Sequence, residues 1–383
     1  MLRYPTLRFI KTPILFLAFL LAVSTFISTP AYAASDLNKE LAEMAKKIKL
    51  LLDQKGLETI AVGDFTAPAK LAASAGPAIA KCLADELKSL GVTVKRRAEL
   101  EVNGRYQDVD DKDTKLLAVQ IKAHVVDHTG DEVMTLEPRA IFNITTIASL
   151  TGVTVAMPAD GTDKERNDAL ADALDKPEVH LASTRLSAAT DSPYAIEVQV
   201  KSAEGYRPRA ASKDDDGLAF LKIRRSELYA IKLINDSPYD AAVTVTIDGL
   251  NIFAFSDNKS YTHYIVPSKQ SLVVPGWHRT NQVSDAFQVT EYAKSAVAEA
   301  LPSSTTVGTI TASFAAAWAK DALPPDDEAP GKKGGRSGDA TGKGPPVDFK
   351  LVEVVRDVGR LRASVSVRYN KDDDPKDLPG GKP

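Results

Sequence analysis

Residues 228–249 read LYAIKLINDSPYDAAVTVTIDG. Two runs rich in β-branched and aromatic residues, Leu228–Ile234 and Ala241–Ile247, flank Asn235-Asp236-Ser237-Pro238, and Asp248-Gly249 closes the second run. Apolar runs of this length, bounded by Asn, Asp, Ser, Pro and Gly, predict strands joined by turns. Working outward, the same texture marks strands at Tyr194–Lys201, Leu218–Ile223, Asn251–Phe255, Ser260–Val266, Ser271–Val274, Ala286–Thr290 and Thr305–Phe314. Asp257-Asn258 and Pro275-Gly276 supply further turn signals. Short strands at regular spacing predict an antiparallel β-sandwich domain over residues 194–320.

Toward the amino terminus the periodicity changes. Leu37, Leu41, Ile48, Leu51 and Leu52 recur at helical spacing, with Ser35 or Asp36 available as N-cap. Residues Thr59–Phe65 read as a buried strand, and Pro77 opens a helix that Gly91 closes. Val92–Val94 follows as a strand, completing a βαβ-like unit. Leu117–Val126 and Glu132–Phe142 flank His128-Thr129-Gly130-Asp131, which predicts a hairpin. Residues 36–150 thus form an α/β module with a mixed sheet, and the fold class is α+β.

Residues 151–193 are expected to be a connector carrying a short exposed helix at Asp163–Leu174. Residues 321–347 are dense in Pro, Gly and both charges, the composition of a disordered linker. Residues 348–370 predict a C-terminal hairpin, Phe349–Val355 against Leu361–Tyr369, with Asp357–Gly359 as its turn. A hairpin is marginal alone and should dock on an earlier sheet. Residues 371–383 read as a disordered tail.

The first 33 residues set the expected compartment. Arg3, Arg8 and Lys11 precede an uncharged run, Ile14–Ile27, and the triplet Ala31-Tyr32-Ala33 follows. This is the pattern of a secretory signal peptide, and its 14-residue centre is short of the roughly 20 a spanning helix needs. Cleavage after Ala33 leaves a periplasmic or secreted chain with no stable membrane anchor. The formal charge of the 383 residues is −3, and removing three basic residues takes it to −6. That balance argues against nucleic acid as a partner. The single cysteine, Cys82, falls on the apolar side of a predicted helix and reads as a core residue.

Catalytic signatures are lacking in the sequence. There is no G-x-S-x-G elbow, no H-E-x-x-H and no paired-cysteine motif. His124 and His128 span a strand and its turn, where four residues cover about 13 Å, too far for one small ion. The acidic runs at Asp108–Asp113 and Asp214–Asp216 miss the Gly and Glu of a calcium loop and read as solvated. Residues 337–344 fall short of a phosphate loop and lie in the linker. No cofactor and no metal are implied. Two candidate binding spots remain. Asp64 ends a buried strand before a helix, the edge where α/β sheets bind ligands, although a polar strand cap is the plainer reading. Trp277, His278 and Arg279 are expected in a loop between strands, a hot-spot composition, or else a Trp packed over the sheet edge with Arg279 stacked on it.

Ile60-Ala61-Val62-Gly63-Asp64-Phe65, with the small-residue loop and the helix from Pro77 to Leu90, resembles the α/β module of TolB-like and curli-secretion-channel-like envelope proteins. The resemblance implies a non-catalytic assembly or binding role. The curli channel's cysteine after the signal has no counterpart here. Leu228–Trp318 resembles a β-sandwich module of exported bacterial proteins that carries no known activity. The resembling residues are Asn235–Ser237, Ile247–Phe253, Pro275–Trp277 and Val307–Ile310. The expectation is an exported binding or assembly module for a protein or polymer partner of the cell envelope. The alternative is an extracytoplasmic hydrolase of polysaccharide or peptide, which needs two carboxyls about 5–5.5 Å apart if it is a retaining glycosidase.

Overall fold

A computed structural model describes residues 36–67, 75–110, 116–214, 217–258, 260–289, 307–320, 322–328, 346–348 and 350–370. The expected leader, the tail and most of the linker lie outside these residues. Strand exceeds helix, 46% to 19%, in three mixed or antiparallel open sheets, an α+β architecture. Among the described residues no helix is long and apolar enough to cross a membrane.

The first region contains α1 (Asp36–Lys55), β1 (Thr59–Thr66), α2 (Gly76–Ser89), β2 (Thr93–Lys95), β3 (Leu100–Asp110), β4 (Leu117–Asp127) and β5 (Glu132–Leu136). Leu41, Met44, Ile48 and Leu52 form the buried stripe of α1 that the periodicity predicts. The sheet order is β2-β1-β3-β4-β5. β1 runs parallel to β2 and β3, and β3 and β4 form an antiparallel ladder from Leu100↔Asp127 to Asp110↔Leu117. Val119, Ile121, Ala123 and Val125 of β4 are buried while Gln120, Lys122 and His124 between them are half-buried, the alternation of a sheet covered on one face. β5 ends at Leu136, short of the expected Phe142. Pro138 follows with no N–H to donate, and only Ile141 returns to bridge Val119.

α3 (Ile144–Thr151) closes the expected α/β module, and the expected connector, 151–193, holds β6 (Val155–Ala156) and α4 (Asp163–Asp175) and lends side chains to the core. Ile147, Leu150, Val155, Met157 and Leu170 join the apolar core of the first region, as does Leu361 from far along the chain. α4 covers the helix expected at Asp163–Leu174; it buries Arg166, Asn167 and Leu170 and leaves Asp163, Lys164, Glu165, Asp168 and Asp172 exposed. Its Asn167 is buried, accepting from Leu117 N at 2.9 Å and donating back to Leu117 O at 3.2 Å. A capping box formed by Thr162 and Glu165 starts the helix.

The second region is all strand. Its elements are β7 (His180–Ala182), β8 (Arg185–Ser187), β9 (Tyr194–Ser202), β10 (Gly205–Pro208), β11 (Ser212–Lys213), β12 (Ala219–Leu221) and β13 (Leu228–Asn235). They continue with β14 (Asp240–Ile247), β15 (Leu250–Asn251), β16 (Tyr264–Val266), β17 (Gln270–Val274), β18 (Gly276–His278), β19 (Val283–Gln288), β20 (Val307–Ala319), β21 (Pro346–Asp348) and β22 (Arg356–Asn370). One sheet runs β18-β19-β13-β9-β8-β7 and the other β11-β12-β22-β20-β14-β15. Ile196, Ile231 and Leu233 of the first share one apolar core with Val243, Val245, Phe314 and Val365 of the second. The turn after β14 is as expected, with φ of 54° at Asp248 and 79° at Gly249, the pair that a tight Asp-Gly hairpin requires.

Several expectations need correction. Asn251–Phe255 is not a strand: the Asn251 carboxamide accepts from Phe253 N at 3.0 Å and bends the chain. The strand expected at Ala286 begins at Val283. No C-terminal hairpin forms. β22 pairs with β20 from Val307↔Asn370 to Ala319↔Arg356, and 350–355 joins no ladder. Asp357–Gly359 lies inside β22. Gly359 is needed because the Glu328 carboxylate occupies the space of a side chain there, and Glu328 accepts from Arg360 N at 2.7 Å. Residues 322–328 are likewise no coreless linker. Buried Glu328 and half-buried Asp327 both receive the Arg362 guanidinium, at 2.8 and 2.6 Å.

A candidate binding cavity at His278

Gly276–His278 is a strand rather than a loop. Trp277 pairs with Asp285 and His278 with Ser284, because β19 starts early enough to provide a partner. Gly276 is required by this pairing, since a Cβ there would strike Asp285 O. Trp277 is only 8% exposed and stands edge-on to Phe287 and Phe255, with ring centroids 5.4 and 5.8 Å away. It is a packing residue. Arg279 directs its guanidinium to the buried Asp285 carboxylate at 3.2 Å.

His278 is fully buried and lines a cavity of about 340 Å³. One wall is aromatic: the Phe253 ring lies 4.6 Å from Tyr264 and 4.9 Å from His278, and Tyr261 meets His278 edge-on at 5.5 Å. Leu272 of β17 and Leu351 add aliphatic surface, and the segment 350–356 forms the opposite side.

A hydrogen-bond chain fixes the polar groups. The Tyr261 hydroxyl donates to the Glu353 carboxylate at 3.0 Å and accepts from Asn281 Nδ2 at 3.1 Å. Asn281 Oδ1 therefore faces His278 Nε2 at 3.3 Å, so Nε2 carries the proton. Burial pushes the His278 pKa below its ordinary value, opposed in part by the bond to Asn281. The ring is neutral at pH 7, with Nε2 as donor and Nδ1 as a buried lone pair without a hydrogen-bond partner. At the cavity edge Asp240 is held by Arg356 Nε at 3.0 Å and by Ser268 N at 3.2 Å.

Asp64 lies elsewhere. It sits near the end of β1, half-buried, and does not line this cavity. Beyond it α2 begins at Gly76, and its N-cap residue Ala75 offers no side-chain hydrogen bond. The Tyr106 hydroxyl, projecting from β3, accepts from Ala75 N at 3.2 Å. Burial holds the Tyr106 pKa far above its ordinary value, so the group remains a neutral phenol. The Ala75 amide, which an α/β sheet would offer to an anion, is thus engaged from within the protein. Asn235, expected in a turn, is fully buried, donating to Tyr239 O at 2.8 Å and Val266 O at 2.9 Å.

Sequence reasoning located His278 but missed Tyr261, Asn281 and Glu353. They lie 92 residues apart at the extremes and meet only because 350–355 crosses the sheet edge. Among the described residues no group of three or more His, Cys, Asp or Glu could hold a metal ion. No family model matches the chain, and neither do curated proteins or solved structures.

Proposed function

We propose that the chain is an exported, non-catalytic binding module of the cell envelope, and that it contacts a protein or polymer partner through the His278 cavity. The observation that supports this reading is an aromatic-walled volume of about 340 Å³ with its polar groups already oriented by one another. Ligand sites are mostly apolar hollows of roughly 300–1,000 Å³ with a few placed polar groups. The hydrogen-bond chain fixes which groups donate and which accept: the imidazole is a neutral ring with Nε2 as donor, and Asp240 at the cavity edge is held by Arg356.

Three finer points belong to the same reading. The second region is a β-sandwich, an assignment supported by the single apolar core to which both of its sheets contribute. Export is supported by Arg3, Arg8, Lys11, the run Ile14–Ile27 and Ala31-Tyr32-Ala33. The TolB-like kinship of the first region is supported by the parallel β1-α2-β2 crossover.

Fragments bearing phenol, indole or hexose rings test the cavity. With fluorotyrosine-labelled protein, a binding fragment should shift the Tyr261 resonance, be recovered chemically unchanged, and bind at least about tenfold more weakly to Tyr261→Ala. Fragment shifts that avoid Tyr261, or conversion of the fragment, overturn the reading.

A further inference from the structure

Residues 350–355, Lys-Leu-Val-Glu-Val-Val, run from β21 to β22 without joining a ladder. Leu351 N donates to Asn281 O at 2.8 Å, and Glu353 accepts from Tyr261. Among the described residues no backbone hydrogen bond reaches Val352, Glu353 or Val354. Their neighbourhood is open: Val352 is 86% exposed, Val355 59% and Val354 45%. Isolated exposed apolar residues are ordinary, but β-branched residues in a row with open N–H and C=O groups form a template for another strand.

We propose that this segment, whose other side lines the cavity, pairs antiparallel with the same segment of a second copy of the chain. Charge selects both the occupant and the register. With Lys350 opposite Glu353 of the second copy, Leu351 faces Val352, and the two-fold axis repeats the Lys–Glu contact. Centring the pair on Glu353 instead would set Glu353 against itself and Lys350 against Arg356, two like-charge meetings. The segment thus complements itself in this register and repels itself in the one centred on Glu353, a slip of three residues away. Glu353 serves both bonds, since a carboxylate accepts from Tyr261 and Lys350 together. Four residues on each side give a contact far smaller than the roughly 1,000 Å² of a stable interface, so the dimer is weak and concentration-dependent.

Sedimentation velocity over a concentration series of the purified protein tests this. The expected result is a reversible monomer–dimer equilibrium whose dissociation constant rises about tenfold or more in Val352→Lys. Lys350→Glu and Glu353→Lys should each weaken the dimer, and the double exchange should restore it. Unchanged circular dichroism and melting temperature establish that the variants are folded. A protein that stays monomeric throughout, a dimer indifferent to Val352→Lys, or a double exchange no tighter than either single change overturns the proposal.

Discussion

The α2 end of the first sheet and the His278 end of the second region pose the same physical problem, polar groups turned inward beside apolar walls. At α2 the backbone N–H of Ala75 finds the hydroxyl of Tyr106, whose ring is fully buried. At His278 the groups bond to one another around a volume that no side chain enters. A site is not defined by polar residues near a strand end. It is defined by whether a volume is left open beside them.

The comparison can be broken at its α2 end first. Tyr106→Ala should cost about 3–5 kcal/mol, as for other buried large-to-small changes, read as a shifted denaturant midpoint. A loss below about 1 kcal/mol would mean that the buried ring contributes little packing. Tyr106→Phe keeps the ring and removes only the acceptor, so roughly 1–3 kcal/mol should go with the orphaned Ala75 N–H.

The open end responds to pH. The folded-state pKa of His278 lies below its unfolded value near 6.5, so the unfolded chain binds the proton more readily. The stability this group contributes is present above pH 6.5 and is lost as pH falls through its lower folded value. Thermal melts from pH 7.5 to 5 should show this acid-side loss, and it should shrink in His278→Gln. An identical pH profile in the variant would place the titration elsewhere. The smallest effect is expected of Tyr261→Phe, whose half-buried hydroxyl only links Asn281 to Glu353. Stability should change by about 1 kcal/mol or less in urea unfolding, while fragment binding weakens measurably.

Much of the strand pattern was legible because alternation and turn residues agree, as in Leu228–Asn235 and Asp240–Ile247. Two of the errors share a cause. Pro275-Gly276 and Asp357–Gly359 look like turns, yet both glycines admit a neighbouring group, Asp285 O in one case and Glu328 in the other. Close approach from a distant segment leaves no local signal. The same holds for the site: His278 stands beside a Trp and draws notice, whereas Glu353 looks like a polar position in a strand until Tyr261 reaches it.

The position of β22 bears on how the chain assembles. It supplies Leu361 to the first core, pairs with β6, β12 and β20, and its Ser366 N donates to Thr154, 212 residues earlier. Such long-range closure makes folding slow relative to local structure formation. During synthesis every partner of this strand emerges before it and must wait with a ladder edge unmatched. A chain with that dependence can close both cores only after residues 356–370 have been made.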